Sequence, residues 1–167
     1  MSRRRNTDNI TLDIMHYYTA KRNMACINDM RLHDLPRELD APCYSDLELE
    51  PYMMRPDVWV FNNGEFIFIE VKSCRQDFTS DKKWTTYLEM CHSFYFAVSD
   101  DYVKPEELPD GVGLLLVSNG KVTTLKRAKK RKFDVAADVY NKHLYRALRS
   151  FATRVCVSNG RLYENMN

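Results

Sequence analysis

Glycine and proline are scarce in this chain, at five and six of 167 residues, which excludes a flexible linker, a Gly/Pro-rich low-complexity segment and a collagen-like repeat. No apolar run approaches the roughly 18 residues that a membrane span requires. Met1–Asn6 is too short and polar for a secretory leader, so a cytoplasmic location without a membrane partner is expected. The cysteines (Cys26, Cys43, Cys74, Cys91, Cys156) are odd in number and scattered, with no paired spacing. That argues against a disulfide framework or a zinc knuckle and for reduced thiols packed as small apolar groups. His16, His33 and His143 are isolated, so nothing points to imidazole metal ligation. Ser73 and Cys74 have no histidine partner at a recognisable position, which argues against a covalent nucleophile. What is present is 44% hydrophobic and 12% aromatic residues, the composition of a folded protein. The length suits a single domain over 1–167 with a sizeable core.

The net charge of +2 conceals an asymmetry. Residues 1–120 carry 13 Lys/Arg against 20 Asp/Glu, whereas 121–167 carry 12 against 3. Much of the basic excess lies in Lys126, Arg127, Lys129, Lys130, Arg131 and Lys132, with Arg3–Arg5 as a second cluster. Such a run is either a solvated loop, a degradation or localisation signal, or a surface that gathers a phosphate backbone. Beside an acidic site the last reading is favoured.

Hydrophobic periodicity predicts an N-terminal helix over 10–30, with Ile10, Ile14, Tyr17 and Tyr18 as apolar positions. A loop over 32–43 contains Pro36 and Pro42, and alternation at Leu47–Glu50 predicts a first strand. Val58–Phe61 and Phe66–Val71 form a hairpin around Asn62-Asn63-Gly64, since Asn-Gly tolerates the positive φ of tight turns. Asp77–Met90 reads as one amphipathic helix with Trp84, Tyr87, Leu88 and Cys91 on its apolar stripe, a pattern that favours core packing over base stacking. Ser93–Val98, Gly113–Val117 and Lys121–Leu125 are strands, and a final helix over 134–152 begins at Asp134. The order αβββαβββα predicts an α/β or α+β fold, a mixed sheet flanked by helices, with its core over 46–125 and the basic segment at 126–132.

The most informative local pattern is Pro56-Asp57 followed thirteen positions later by Glu70-Val71-Lys72. Side chains alternate across a strand, so Glu70 and Lys72 share a face. Pairing of the hairpin strands would bring Asp57 beside Glu70. Two carboxylates and a lysine converging at the rim of a core must pair or bind something. The bland alternative is a salt bridge closing a hairpin, with Asp57 capping a turn. The chemical alternative is a metal-dependent phosphodiester site.

Further residues extend the pattern. Arg55-x-Asp57, Glu70-Val71-Lys72-Ser73, Asp77-Phe78-x-x-Asp81-x-Lys83-Trp84-x-x-Tyr87-x-x-x-Cys91, Tyr95–Val98 and Leu108-Pro109-x-x-x-Gly113-Leu114-Leu115 together resemble the MmcB-type DNA-repair nucleases of the PD-(D/E)XK nuclease superfamily. The resemblance runs from about Leu47 to Leu125. Pro56 stands where that family more often has Ala, and His92 where it has an acid.

The resemblance implies a PD-(D/E)XK restriction-endonuclease-like core and a DNA nuclease of repair, recombination or mobile-element processing. It implies Mg²⁺ or Mn²⁺ held by Asp57, Glu70 and the Val71 backbone carbonyl, with Lys72 positioning water and stabilising charge at the phosphate. DNA is the implied partner, and small enzymes of the superfamily commonly act as homodimers. An upstream accessory acid is Glu48 or Glu50, with a lean to Glu50. Asp77 and Asp81 cap the following helix and support Lys72 or Arg55, or else stand at the mouth of the site with Lys83 on a phosphate. The rival is a catalytically silent nuclease fold that binds DNA or a protein partner.

Overall fold

The structure, a computed structural model, describes residues 3–28, 55–88 and 90–132, with the backbone alone for 3–6. The chain divides into two compact units, Met1–Phe133 and Asp134–Asn167, and the fold below is that of the first. The expected helix over 134–152, the loop over 32–43 and the strand at Leu47–Glu50 lie outside the described residues.

Among the described residues six strands form one mixed sheet in sequence order: β1 (Ala25–Asn28), β2 (Val58–Asn62), β3 (Glu65–Lys72), β4 (Ser93–Val98), β5 (Val112–Ser118) and β6 (Lys121–Lys126). The β1–β2, β2–β3 and β5–β6 pairs are antiparallel, whereas β3–β4 and β4–β5 are parallel. Helix α1 (Arg3–His16) continues into a π-helical turn at Tyr17–Lys21, and two short helices, α2 (Arg75–Ser80) and α3 (Trp84–Tyr87), occupy the crossover from β3 to β4. This is an α+β fold with a mixed central sheet, as expected.

The β2–β3 hairpin closes on Asn63 and Gly64, whose φ values of 46° and 84° are the pair of positive angles a two-residue type I′ turn needs. That turn places Asn62 opposite Glu65, Phe61 opposite Phe66 and Val58 opposite Ile69. Asn119 and Gly120, at 52° and 72°, repeat the device between β5 and β6.

Strand alternation sorts the core into two chemically distinct faces. On one, Val58, Val60, Ile69, Val71, Ala97, Leu115 and Val117 pack with Ile10, Ile14 and Tyr18, which recur every four residues along the first helix. On the other lie aromatic rings: Trp59 with Phe61 and Phe68, and Phe94 with Phe96. Phe78 of α2 meets Phe96 edge-on with centroids 5.1 Å apart, and Trp84 of α3 lies 5.9 Å from Phe94 and 5.5 Å from Phe96. Trp84 and Tyr87 are thus packed on the sheet rather than held out as stacking platforms. By the same alternation Glu70 and Lys72 fall on the aromatic face, at its exit end.

Two expected helices are corrected. The helix predicted over 10–30 ends at Lys21, and 25–28 is β1, whose Ile27 faces Trp59. Asn23 adopts φ 53° and the Met24 amide reaches back to the Tyr18 carbonyl at 2.9 Å, so the chain turns out of the helix where asparagine tolerates the left-handed conformation. The single helix predicted over Asp77–Met90 starts earlier, at Arg75, and is broken at Asp81, which is extended (φ −76°, ψ 120°). Its carboxylate is drawn into tertiary bonds described below.

Gly113 on β5 lies beneath Tyr95: a Cβ there would stand 2.3 Å from two ring atoms and 2.9 Å from the Ala128 backbone nitrogen. Neither the packed ring nor the backbone can withdraw freely. Gly113→Ala is expected to destabilise the fold by about 1–3 kcal/mol, seen as a lower urea midpoint at unchanged slope. A wild-type midpoint would contradict this packing.

Candidate active site

β2 begins at Val58, one residue after Asp57, so the Val71 amide lies beyond the end of the β2–β3 ladder. The Asp57 side chain takes that place: the Val71 N–H donates to Asp57 Oδ2 at 2.7 Å. Asp57 is thereby fixed beside Glu70. Buried Pro56 precedes it at the strand entry, where a missing N–H costs no ladder bond.

Lys72, only 4% exposed, donates through Nζ to Glu70 Oε1 at 3.3 Å and to Asp81 Oδ2, and sits 5.8 Å from the centroid of Phe96. Asp81 Oδ1 accepts the Lys83 N–H at 2.8 Å. Asp77 Oδ2 accepts both the Ser73 N–H and the Ser73 hydroxyl at 3.0 Å, tying the first turn of α2 to the exit of β3. Asp77 makes no cap bond at the N-cap residue Cys74 and instead holds Ser73 just before it, while Asp81 ends one helix and engages Lys72. Arg55 lies close enough to favour the ionised form of Asp57, and its backbone bonds the Tyr87 hydroxyl.

Tyr102 is a member of this site that the sequence reading missed. Its hydroxyl donates to the Lys72 carbonyl at 2.6 Å, and its own carbonyl accepts from Arg75 Nη1 at 3.0 Å, while Arg75 is ion-paired to Glu107. A loop tyrosine thirty residues downstream of its partner carries no local sequence signal.

The electrostatics are unbalanced. Burial pushes the Glu70 carboxyl up to about 8, reinforced by Asp57 and only partly offset by Lys72. Asp57 is also raised, by burial, against the opposing pull of the Val71 amide, Lys72 and Arg55. Burial alone would lower Lys72, but Glu70 and the bond with Asp81 outweigh it and hold the ammonium charged. Glu70 Oε2 is buried and has no hydrogen-bond partner among the described residues. A buried acceptor left unmade costs on the order of 1–3 kcal/mol, more for a charged one. The site is short of positive charge at that oxygen. Among the described residues no three or more His, Cys, Asp or Glu side chains gather as a metal-holding cluster. Glu48 and Glu50 are outside the described residues.

The basic run is not brought to this site. The Arg131 N–H bonds the His92 carbonyl and the Lys129 N–H the Gly111 carbonyl, while Lys130 pairs with Glu65 and Lys129 with Asp110. Lys126 Nζ donates to the carbonyls of Pro105, Leu108 and Pro109, and Arg131 Nη1 approaches Cys91 Sγ. Glu65, His92 and Gly111 lie at or just before the starts of β3, β4 and β5, at the opposite end of the sheet from Glu70–Lys72. At about 3.3 Å per residue, Glu65 is roughly 16 Å along β3 from Glu70. Of the six cations only Arg127 and Lys132 have no partner among the described residues. Beside the site itself, Lys82 and Lys83 are exposed and unpaired among the described residues. His92, the other departure from the family pattern, also belongs to the far end: its Nδ1 accepts the Phe66 N–H at 3.0 Å.

An α+β domain with a half-buried acid pair and a buried, clamped lysine at one strand exit is the class that fold and site define. Residues 18–159 match the family described as DNA repair protein MmcB-like, and the chain belongs to that family. Membership suggests a role in DNA repair. The fold is also similar to that of a solved structure, the SPO1766 protein of unknown function from Silicibacter pomeroyi, at 23% identity and a TM-score of 0.66 over 89% of this chain and 88% of that one. No curated protein matches the chain. Among the described residues no helix is long and apolar enough to cross a membrane.

The raised Glu70 value has a consequence for stability. The folded protein keeps a proton that the unfolded chain releases as pH rises from the ordinary 4.5 to about 8, so the metal-free fold loses stability across that window. Glu70→Gln cannot titrate and keeps a carbonyl for Lys72. In EDTA it is expected to melt above wild type near pH 8, with the gap closing towards pH 5. A gap independent of pH would contradict the assignment.

Proposed function

We propose that this chain is a metal-dependent DNA nuclease that hydrolyses phosphodiester bonds in DNA repair, recombination or mobile-element DNA processing. The observation that carries the reading is Glu70 Oε2, buried and without a hydrogen-bond partner among the described residues, beside a second raised carboxylate. A carboxylate pair in that state fits a hard divalent cation, Mg²⁺ or Mn²⁺, which takes oxygen ligands and retains several waters, so two acids suffice. Asp57 and Glu70 would hold it. Val71 would add its backbone carbonyl, since a strand residue presents its C=O to the same side as its N–H. Such an ion, when bound, polarises the scissile phosphate and acidifies water.

The chain's own groups account for the rest. Lys72 presents a fixed cation on the same face as Glu70, suited to orienting water and to charge that builds on the phosphate. Phe96 and the neighbouring aromatic rings keep water from one side of it. Exposed Lys82 and Lys83 stand next to Asp81, where a backbone phosphate could be met, and they suit that task better than the distant basic run. The arrangement is compatible with the PD-(D/E)XK superfamily, and membership of a DNA repair family favours DNA over RNA. A silent DNA-binding role is the second reading, favoured by the absence of a three-residue acid cluster among the described residues.

Labelled single-stranded, duplex and branched DNA incubated with Mg²⁺, Mn²⁺ or EDTA tests the proposal. Cleavage is expected with metal and not with EDTA, and to disappear in Asp57→Ala and Glu70→Ala. Lys72→Ala is expected to lose about 10²–10³-fold in kcat, the scale of one preorganised charge at the reacting centre. Salt-sensitive binding without cleavage of any substrate would favour the silent reading and overturn the nuclease.

A further inference from the structure

Lys72 is buried and has two anionic partners within reach, yet they are not equivalent. Its bond to Asp81 is the shorter, and the contact with Glu70 Oε1 is a longer 3.3 Å. Asp81 is itself held from several directions. Its Oδ1 takes the Lys83 N–H, and it sits in the extended break between α2 and α3. On either side Phe78 and Trp84 anchor that break to the same Phe96 ring over which Lys72 lies. The break therefore costs α-helix continuity and delivers one carboxylate to one ammonium. With Asp81 removed, the anion left beside Lys72 is Glu70.

We propose that Asp81 is a positioning residue that draws the Lys72 ammonium away from Glu70 and so keeps Glu70 available to a divalent cation. The inference rests on the metal-dependent reading above. Asp81 touches neither the cation nor the substrate; it acts through Lys72. Lys72 and the cation compete for the same carboxylate, and Asp81 biases that competition. Without it Lys72 closes on Glu70 and competes with the cation for its oxygens.

The test is Mn²⁺ titration calorimetry on the full chain, with no substrate present, for wild type, Asp81→Asn, Lys72→Met and the double variant. Asparagine keeps an acceptor for the Lys83 N–H, so a role confined to capping the break would leave Mn²⁺ affinity unchanged. Asp81→Asn is expected to weaken Mn²⁺ binding about fivefold, the scale of coupling between contacting groups. Lys72→Met is expected to tighten it, because the competitor is gone. In the Lys72→Met background Asp81→Asn should change affinity by less than about twofold. Equal losses in both backgrounds would show a through-space charge effect and overturn the inference, as would a Lys72→Met variant that binds no tighter. If Asp81→Asn does not fold, Asp81→Ser, which also keeps an acceptor for the Lys83 N–H, is read in the same two backgrounds with the same outcomes. Wild type that binds no Mn²⁺ overturns the nuclease reading and this inference together, whereas wild type that binds with additive effects overturns this inference only.

Discussion

The hydrogen bond from the Val71 amide to Asp57 ties the entry of β2 to the exit of β3, and the geometry of the site follows from it. It exists because the Asn63–Gly64 turn sets the register of the hairpin, which leaves Asp57 one residue short of the ladder and Val71 without a backbone partner on that side. A slip of one residue would turn Glu70 and Lys72 to the opposite face, into the aliphatic core against the first helix. The turn, the register and the site are one structural unit.

That unit carries an electrostatic debit that the remainder of the fold must tolerate. Two carboxylates are withdrawn from water next to each other, and one ammonium is divided between Glu70 and Asp81. Removing charges from water is opposed by several kcal/mol per ion even after relaxation, on the order of the whole stability margin of a small domain. The aromatic packing of Trp59, Phe68, Phe94 and Phe96 immediately behind the site supplies rigid apolar burial against that cost. Tyr102, Arg75 and Glu107 then lock the strand exit from outside, so that Lys72 is held at both its backbone and its ammonium.

The parts of this arrangement that were legible in the sequence are those whose cause is local. Asn-Gly between two apolar runs specifies the hairpin, and period-two alternation then places Glu70 and Lys72 on one face. The parts that were not legible depend on distant partners. The stripe Trp84, Tyr87, Leu88, Cys91 has helical spacing, but Asp81 breaks the helix because Lys72, nine residues upstream, claims its side chain. Apolar periodicity from Ile10 to Tyr18 says nothing of Asn23, whose left-handed turn releases Ala25–Asn28 into the sheet. The basic run shows its charge in one dimension but not the end of the sheet it crosses. Half of its cations are committed to carbonyls and acids at that far end, as with Lys126 on Pro105, Leu108 and Pro109.

On the proposed reading, Asp57 and Glu70 form a pair that a divalent cation would complete. Proton release on metal binding tests it most directly, measured by titrating Mg²⁺ or Mn²⁺ into the protein near pH 7 in buffers of different ionisation enthalpy. Because Glu70 is held protonated up to about 8 in the metal-free protein, binding should expel protons, with affinity rising as pH rises. Binding with no proton release, or no binding at all, would contradict the account.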